Sequence, residues 1–221
     1  VPDLPGFGKS EPPARLDFSI RDQSLRLEAW LAQLGVTECI LAGNSMGAWI
    51  AADFAARHPD RVPALWLQSP FGVLSAQPSE VLSGLEVDGS NPFSVDSMND
   101  YRNLVALMFQ RPPHLPYPIA RAGYLNARRL RNELPRMQIE VLEQSESLES
   151  LAPRLTMPVL VEWGREDRAV HVSGATVLRD LLPDCRIVIH EGIGHLPLLE
   201  CPTLAAGTFR QFAVDHGMLA P

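Results

Sequence analysis

Short apolar runs alternate with helical stretches in two parts of this chain. The apolar runs are four to six residues long and lie at 39–42, 64–67, 158–163 and 185–189. The stretches with helical spacing of apolar residues lie at 22–34, 48–57, 173–182 and 203–216. Strands that alternate with helices are typical of a parallel sheet joined by right-handed crossovers. The pattern therefore predicts an α/β fold with a mostly parallel sheet.

The alternation is interrupted in the middle of the chain. From residue 75 to 154, prolines, charges and helical stretches at 101–109 and 119–136 replace the strand–helix rhythm. We therefore predict two units. One is an α/β core made of residues 1–74 and 155–221, and the other is a helical cap made of residues 75–154.

Composition limits the classes of function. The 221 residues are 46% hydrophobic and 20% charged, which is enough to bury a core. The formal charge of −7 argues against nucleic acid as a partner, because phosphate binding needs a basic face. Cys39, Cys185 and Cys201 are interpreted as reduced core residues, not as a disulfide framework or a metal cluster. We predict no metal and no other cofactor.

Residues 43–47, Gly-Asn-Ser-Met-Gly, match the G-x-S-x-G pattern between a predicted strand and a predicted helix. A nucleophile in such a turn has an unfavourable backbone conformation, so the flanking positions must be small. The pattern predicts Ser45 as a nucleophile and the N–H of Met46 as an oxyanion donor at the helix start. The alternative is an ordinary glycine-rich turn with a capping serine.

A serine hydroxyl needs a base, and the base needs an orienting acid. His195 follows the last predicted strand, and Asp167 follows the strand at 158–163. Both positions and the order Ser, Asp, His fit a triad. Glu166 is the nearest competing acid. The alternatives are an exposed loop histidine and an aspartate that only stabilises a turn.

Four segments carry a family resemblance: residues 3–10 (DLPGFGKS), 43–47, 163–167 (WGRED) and 194–195 (GH). Together they resemble the successive signatures of the α/β-hydrolase superfamily, most weakly across residues 75–154. Residues 111–113 and 172–175 are similar to bacterial lipases and monoacylglycerol lipases. The resemblance implies acyl transfer to water through an acyl-enzyme. It makes Ser45 the nucleophile, Asp167 the acid, His195 the base and Met46 an oxyanion donor.

The sequence departs from the family in one respect. Family members have a His-Gly loop after the third strand that gives a second oxyanion N–H, and this chain has no such loop. Aligned to the family, residues 1–2 would end strand four, and strands five to eight would be 39–43, 64–68, 158–163 and 185–190. We therefore expect a fragment without the first strands, with half an oxyanion hole, weak or absent activity and a bare edge on the strand at 39–43.

The resemblance favours a carboxylic-ester hydrolase, with a monoacylglycerol as one candidate substrate. The cap would hold the acyl chain with apolar side chains, unless these only pack a cap helix; they are Leu104, Leu107, Met108, Phe109 and Leu115. A second hypothesis is a carbon–carbon bond hydrolase of the meta-cleavage product type. Those enzymes usually carry a tryptophan directly after the catalytic histidine, where this chain has Leu196. A third hypothesis is a non-catalytic homologue.

The expected partners follow from the resemblance and, for nucleic acid, from the negative charge. They are a small ester or acylglycerol and a membrane surface, without nucleic acid, and the oligomeric state stays open. The expected location is cytoplasmic or membrane-associated, and an upstream targeting segment stays open as well.

Overall fold

A computed structural model describes residues 1–10, 17–87, 89, 91–131 and 133–220. Its strands form one sheet in the order β1-β2-β3-β4, and each neighbouring pair is parallel. The strands are β1 (Leu41–Asn44), β2 (Leu65–Gln68), β3 (Val159–Gly164) and β4 (Cys185–His190). The predicted α/β fold with a parallel sheet is therefore confirmed.

The helices occupy the segments between and beyond these strands. They are α1 (Ile20–Gln33), α2 (Met46–Arg57), α3 (Glu80–Val87), α4 (Met98–Met108), α5 (Tyr117–Leu130), α6 (Leu134–Glu143), α7 (Leu148–Leu151), α8 (Gly174–Leu181), α9 (Pro197–Glu200) and α10 (Pro202–Asp215). Short 3₁₀ helices lie at Pro59–Arg61 and Ala152–Arg154.

One predicted helix, at residues 119–136, is two helices in the structure. The chain leaves α5 after Leu130 and starts α6 at Leu134, with a proline in the first turn of α6. Proline lacks an N–H and would clash inside a continuous helix, but it fits a first turn. The break therefore follows from a residue that the apolar periodicity ignored.

The two faces of the sheet are packed differently. In β3, Val159, Val161 and Trp163 belong to the main apolar cluster, which includes residues of α1, α2, α7 and α8. The alternate residue Leu160 points to the other face and packs in a smaller cluster with Phe212 of α10. The period of two along a strand produces this division.

The strand β1 lies at an edge of the sheet. It pairs with β2 on one side, and within the described ranges no strand pairs with it on the other. This arrangement is the bare edge expected from the sequence.

Residues 75–154, called here the helical segment, connect β2 to β3. The described part of this segment contains helices and no strand. Its first two helices, α3 and α4, are mostly half-buried and α5 is mostly exposed, whereas Val141, Leu148 and Leu151 near its end join the main apolar cluster. Its boundaries as a separate unit stay a prediction. No helix in the described ranges has both the length and the apolar character needed to cross a membrane.

Candidate active site

Ser45 occupies a strained turn between β1 and α2. Its φ is +54°, and its N–H donates to the carbonyl of Gln68 over 2.9 Å. A Cβ at Gly43 would overlap the carbonyl of Gly47, whereas a Cβ at Gly47 would meet no other atom within 4 Å. The carbonyl of Ser45 accepts from the N–H of Phe71 over 3.2 Å, which holds the turn from the side of β2. The strained backbone of Ser45 and the close packing at Gly43 agree with the steric prediction from the pentapeptide, but the open space at Gly47 does not require a small residue there.

Met46 is the first residue of α2, where backbone N–H groups lack partners inside the helix. Its N–H makes no hydrogen bond within the described part of the chain. Met46 also lines the same cavity as Ser45. An unpaired N–H at a helix start, beside the hydroxyl, is suited to stabilise an oxyanion.

Asp167 and His195 form a buried pair. Their exposed fractions are 5% and 4%, and Nδ1 of His195 lies 2.8 Å from Oδ2 of Asp167. The same Oδ2 accepts from the indole of Trp163 at 3.0 Å, and Oδ1 accepts from the N–H groups of Ala169 and Val170 at 2.9 Å each. These contacts fix the carboxylate. Because Nδ1 faces the acid, Nε2 of His195 is left to accept a proton.

Glu166, the competing acid, has a different role. Its Oε2 accepts from the N–H of Ile193 over 3.0 Å, and its own N–H donates to the Ile193 carbonyl over 3.1 Å. These bonds hold the loop that carries His195 against the end of β3. The carboxylate bonded to the imidazole is that of Asp167.

The backbone of His195 links three parts of the fold. Its N–H donates to the carbonyl of Met108 at the end of α4 over 2.9 Å. Its carbonyl accepts from the amide of Asn44 over 3.1 Å, and that amide also reaches the carbonyl of Gln68 at 3.2 Å. His195 is therefore held by the strand that precedes Ser45 and by the helical segment.

Glu200 reinforces the link to the helical segment. Its Oε1 accepts from the N–H of Gly194 over 2.7 Å. Its Oε2 accepts from the N–H groups of Gln110 and Arg111 at 3.0 Å each. One carboxylate thus joins the loop before His195 to the chain after α4. Sequence reasoning missed Glu200, because its partners lie up to 90 positions away and local periodicity gives no sign of them.

A polar row, buried at Gln68 and Glu162 and half-buried at Asn44, crosses the sheet near the ends of its strands. Asn44, Gln68 and Glu162 are partners in register and so share one face. Glu162 is fully buried; its Oε2 accepts from the indole of Trp66 at 2.5 Å and from the Gln68 amide at 3.4 Å. Its Oε1 lies 2.8 Å from Nε2 of His190. These mutual bonds satisfy a group that would otherwise be costly to bury.

Ser45, Met46 and His195 line one cavity of about 230 Å³. Its remaining walls are apolar: Phe7, Phe71, Val81, Leu82, Leu85, Phe93, Leu134, Met137, Val141, Leu142, Ala169 and Val170. Most come from α3, α6 and the loops beside the sheet. In the described residues no hydrogen bond joins the Ser45 hydroxyl to the imidazole, and such contacts often tighten only with substrate.

The set of apolar residues predicted to hold an acyl chain is wrong for this cavity. None of Leu104, Leu107, Met108, Phe109 and Leu115 lines it. Leu107 and Met108 pack instead in a small cluster with Val81 and Ala169. The physical reason is that α4 faces the loop of Asp167 and contributes contacts there, while α3 and α6 form the cavity wall.

The three cysteines are free and partly buried. Burial raises the pKa of the Cys39, Cys185 and Cys201 thiols, so each stays protonated and unreactive near neutral pH. In the ranges that the structure describes, no group of three or more His, Cys, Asp or Glu side chains could hold a metal ion.

Comparison with known proteins identifies the family. The family model of the alpha/beta hydrolase fold matches residues 1–202. Lipase 1 of Psychrobacter immobilis is 29% identical over 215 residues, which are 96% of this chain and 67% of that protein. Monoacylglycerol lipase abhd6-A of Xenopus laevis is 28% identical over 224 residues, or 95% of this chain and 65% of that protein.

A solved structure gives a closer match. The crystal structure of a membrane phospholipase A, a bacterial virulence factor, superposes with a TM-score of 0.93 at 35% identity. The match covers 98% of this chain and 69% of that one. The chain spans about two thirds of the length of the proteins it matches. The family model covers most of the sequence, and the chain therefore belongs to the α/β hydrolase fold family and is a hydrolase of that family.

Proposed function

We propose that this protein hydrolyses carboxylic esters through an acyl-enzyme on Ser45, with His195 as base and Asp167 as its orienting acid. One observation carries the proposal. A buried histidine, hydrogen-bonded to a buried aspartate at 2.8 Å, lines the same apolar cavity as a serine held at positive φ. Burying a polar pair beside an apolar cavity costs free energy. Such pairs are therefore common at functional sites.

The proposed reaction has two halves. Nε2 of His195 takes the hydroxyl proton while Oγ of Ser45 bonds to the ester carbon, and the resulting oxyanion accepts from the N–H of Met46. The intermediate then collapses, the carbon–oxygen bond to the alcohol breaks, and His195 gives its proton to the departing alcohol. Water repeats the sequence on the acyl-enzyme, which releases the acid and restores Ser45.

The cavity supports an ester with an apolar acyl chain. Apart from the reacting groups and the main chain of the turn, its walls are aliphatic or aromatic. Burial of each methylene in such a site contributes about 0.8 kcal/mol. The similarity to a lipase, a monoacylglycerol lipase and a phospholipase A supports a lipid ester, with a monoacylglycerol as one candidate.

A fluorophosphonate probe and an ester panel test the proposal. We expect the parent protein to be labelled and to cleave activated p-nitrophenyl esters slowly, since Met46 is the one oxyanion donor expected here, and Ser45→Ala to lose both properties. Ser69→Ala is a matched control, because Ser69 also has positive φ at a strand end but does not line the cavity. Labelling of Ser45→Ala, or no labelling of the parent, would refute the nucleophile.

The same panel separates the carbon–carbon hydrolase. A dienoic meta-cleavage substrate is included beside the esters, and we expect turnover of the esters alone. Cleavage of that substrate without ester hydrolysis would favour the alternative reaction on the same residues.

A further inference from the structure

One stretch of the helical segment carries a charge opposite to that of the whole chain. Residues 101–131 contain six of the 19 basic residues and none of the 26 acidic ones, in a chain of formal charge −7. This stretch includes α5 and the chain that leads into it. Counted along the sequence, this stretch therefore carries only positive charge in an acidic chain.

The helix α5 exposes a mixed face. No described residue of α5 is buried. Tyr117, Arg121, Leu125 and Arg128 follow one another at spacings of four, four and three, which places them on one side of the helix. The exposed fractions of Tyr117 and Leu125 are 67% and 44%. The opposite side packs on α4, where a Cβ at Gly123 would overlap the Tyr101 ring.

The arginines of this stretch differ in their partners. Arg131 pairs with Asp96, and Arg129 donates to the carbonyl of Gly8 over 3.2 Å. Arg128 lies 5.9 Å from the ring centre of Tyr124 and, like Arg121, takes part in no ion pair among the described residues. The charges on the exposed face are therefore available to an external anion.

The same helix lies close to the cavity. The contact between Arg129 and Gly8 joins α5 to the loop that contains Phe7, and Phe7 lines the cavity beside Ser45. The next helix along the chain, α6, contributes Leu134 and Met137 to that wall. Whatever binds α5 is thus held near the proposed site of chemistry.

We propose that the docking face, defined as Tyr117, Arg121, Leu125 and Arg128, binds the surface of a membrane rich in anionic lipid. Arginines attract the negative headgroups, while an aromatic and an aliphatic side chain enter the interface between headgroups and acyl chains. Charge alone would suit any polyanion, but the interleaved apolar side chains favour a lipid surface. Docking at a membrane brings a lipid ester to the cavity, and this role rests on the proposed function. Binding to the membrane itself does not depend on it.

Vesicle co-sedimentation tests the docking without relying on catalysis. We expect the protein to bind vesicles of phosphatidylcholine mixed with phosphatidylglycerol, and to bind phosphatidylcholine vesicles at least tenfold more weakly. Binding should fall in 0.5 M salt, because screening shortens the reach of surface charges. Equal binding to both vesicle types, or none to the anionic ones, would overturn the proposal.

Paired variants identify the face. Arg121→Gln with Arg128→Gln should weaken anionic-vesicle binding by roughly tenfold or more, since each arginine near such a surface contributes measurably. Arg179→Gln with Arg210→Gln makes the same change of charge on exposed positions of α8 and α10, and should leave binding unchanged. An equal loss in both doubles would mean that net charge, not this face, governs binding.

The apolar half is tested by Tyr117→Ser with Leu125→Ser, which should also weaken vesicle binding. A single-stranded oligonucleotide provides the competing polyanion. If the protein binds it more tightly than it binds anionic vesicles, the lipid assignment is wrong. Hydrolysis of a short soluble ester should be the same in all these variants as in the parent. The loss of docking and the failure of the proposed chemistry therefore give different results.

Discussion

The sheet and the helical segment use their side chains in opposite ways. Strands β2 and β3 are buried along their whole length, and the proposed acid and base lie on loops beyond the ends of β3 and β4. In the helical segment, by contrast, α5 has no buried described residue and α4 buries Leu107 alone. The difference shows that packing around the sheet fixes the positions of the proposed acid and base. The helical segment instead supplies two surfaces, a wall of the cavity and a charged, solvent-exposed face of α5.

Near the proposed site, hydrogen bonds and an ion pair join the two regions. His195 bonds to the end of α4, Glu200 bonds to the chain after α4, and Arg168 pairs with Glu80 of α3 through both carboxylate oxygens. If the comparison is correct, substitutions in the sheet and the loops at its strand ends should strongly reduce activity or stability. Substitutions at the contacts between the sheet and the helical segment should have smaller effects.

The largest effect is expected for Asp167→Asn. The amide would favour the wrong tautomer of His195, and the corresponding change in a serine protease costs about ten-thousandfold in kcat. Glu166→Gln is the matched control, because Glu166 bonds to the loop backbone and not to the imidazole. Ester-hydrolysis rates of the two variants check this prediction, and similar losses in both would contradict the assignment of the acid.

The buried part of the polar row should contribute strongly to the free energy of unfolding. Glu162→Ala leaves His190 and the Trp66 indole without their partner, and breaking a buried pair costs about 3–5 kcal/mol. Glu162→Gln keeps an acceptor for the indole and should cost less. Denaturant unfolding monitored by circular dichroism measures both variants. If Glu162→Ala unfolds like the parent, the row does not stabilise the sheet.

Glu200→Gln tests the contacts between the sheet region and the helical segment. Three backbone N–H groups lose a charged acceptor, so we expect kcat to fall by about tenfold, since losing a hydrogen bond to a charged group costs about 1.5–3 kcal/mol. KM should change less, because Glu200 does not line the cavity.

Glu149→Gln is the control for this variant, since Glu149 accepts from the N–H groups of Leu74 and Ser75 away from the proposed site. Stability should fall in both variants, but kcat should fall only in Glu200→Gln. An unchanged kcat there would show that the base is positioned without help from the helical segment.

The smallest effect concerns Glu80 and its pH dependence. Hydrogen bonding from Arg168 lowers the pKa of the Glu80 carboxyl below its usual value of 4.5, against the opposing effect of burial. The pair therefore stabilises the fold at pH above that value, and this contribution disappears as the pH falls through the lowered pKa.

Because both side chains are about half exposed, the contribution should stay below about 1 kcal/mol. Parent and Glu80→Gln should differ in free energy of unfolding at pH 7 and converge at strongly acidic pH. A difference that persists unchanged in acid would exclude the ion pair as its source.

Local signals in the sequence predicted the strands and the triad candidates. The four apolar runs agree with the strands to within about two residues, and the glycines around Ser45 indicated its strained turn. Contacts between distant segments gave no such signal. The bonds of Glu200, the pairing of Glu162 with His190 and the choice of α3 and α6 as cavity wall all depend on packing in three dimensions.

The bond from the Asn44 amide to the carbonyl of His195 spans 151 positions of sequence. Near neighbours and β2 build the turn around Ser45, whereas His195, its proposed base, lies on the loop after the last strand. A partly folded chain without that last part has the proposed nucleophile but not the proposed base. Recovery of hydrolysis during refolding should therefore report docking of the C-terminal segment, even if most of the helical signal has already returned.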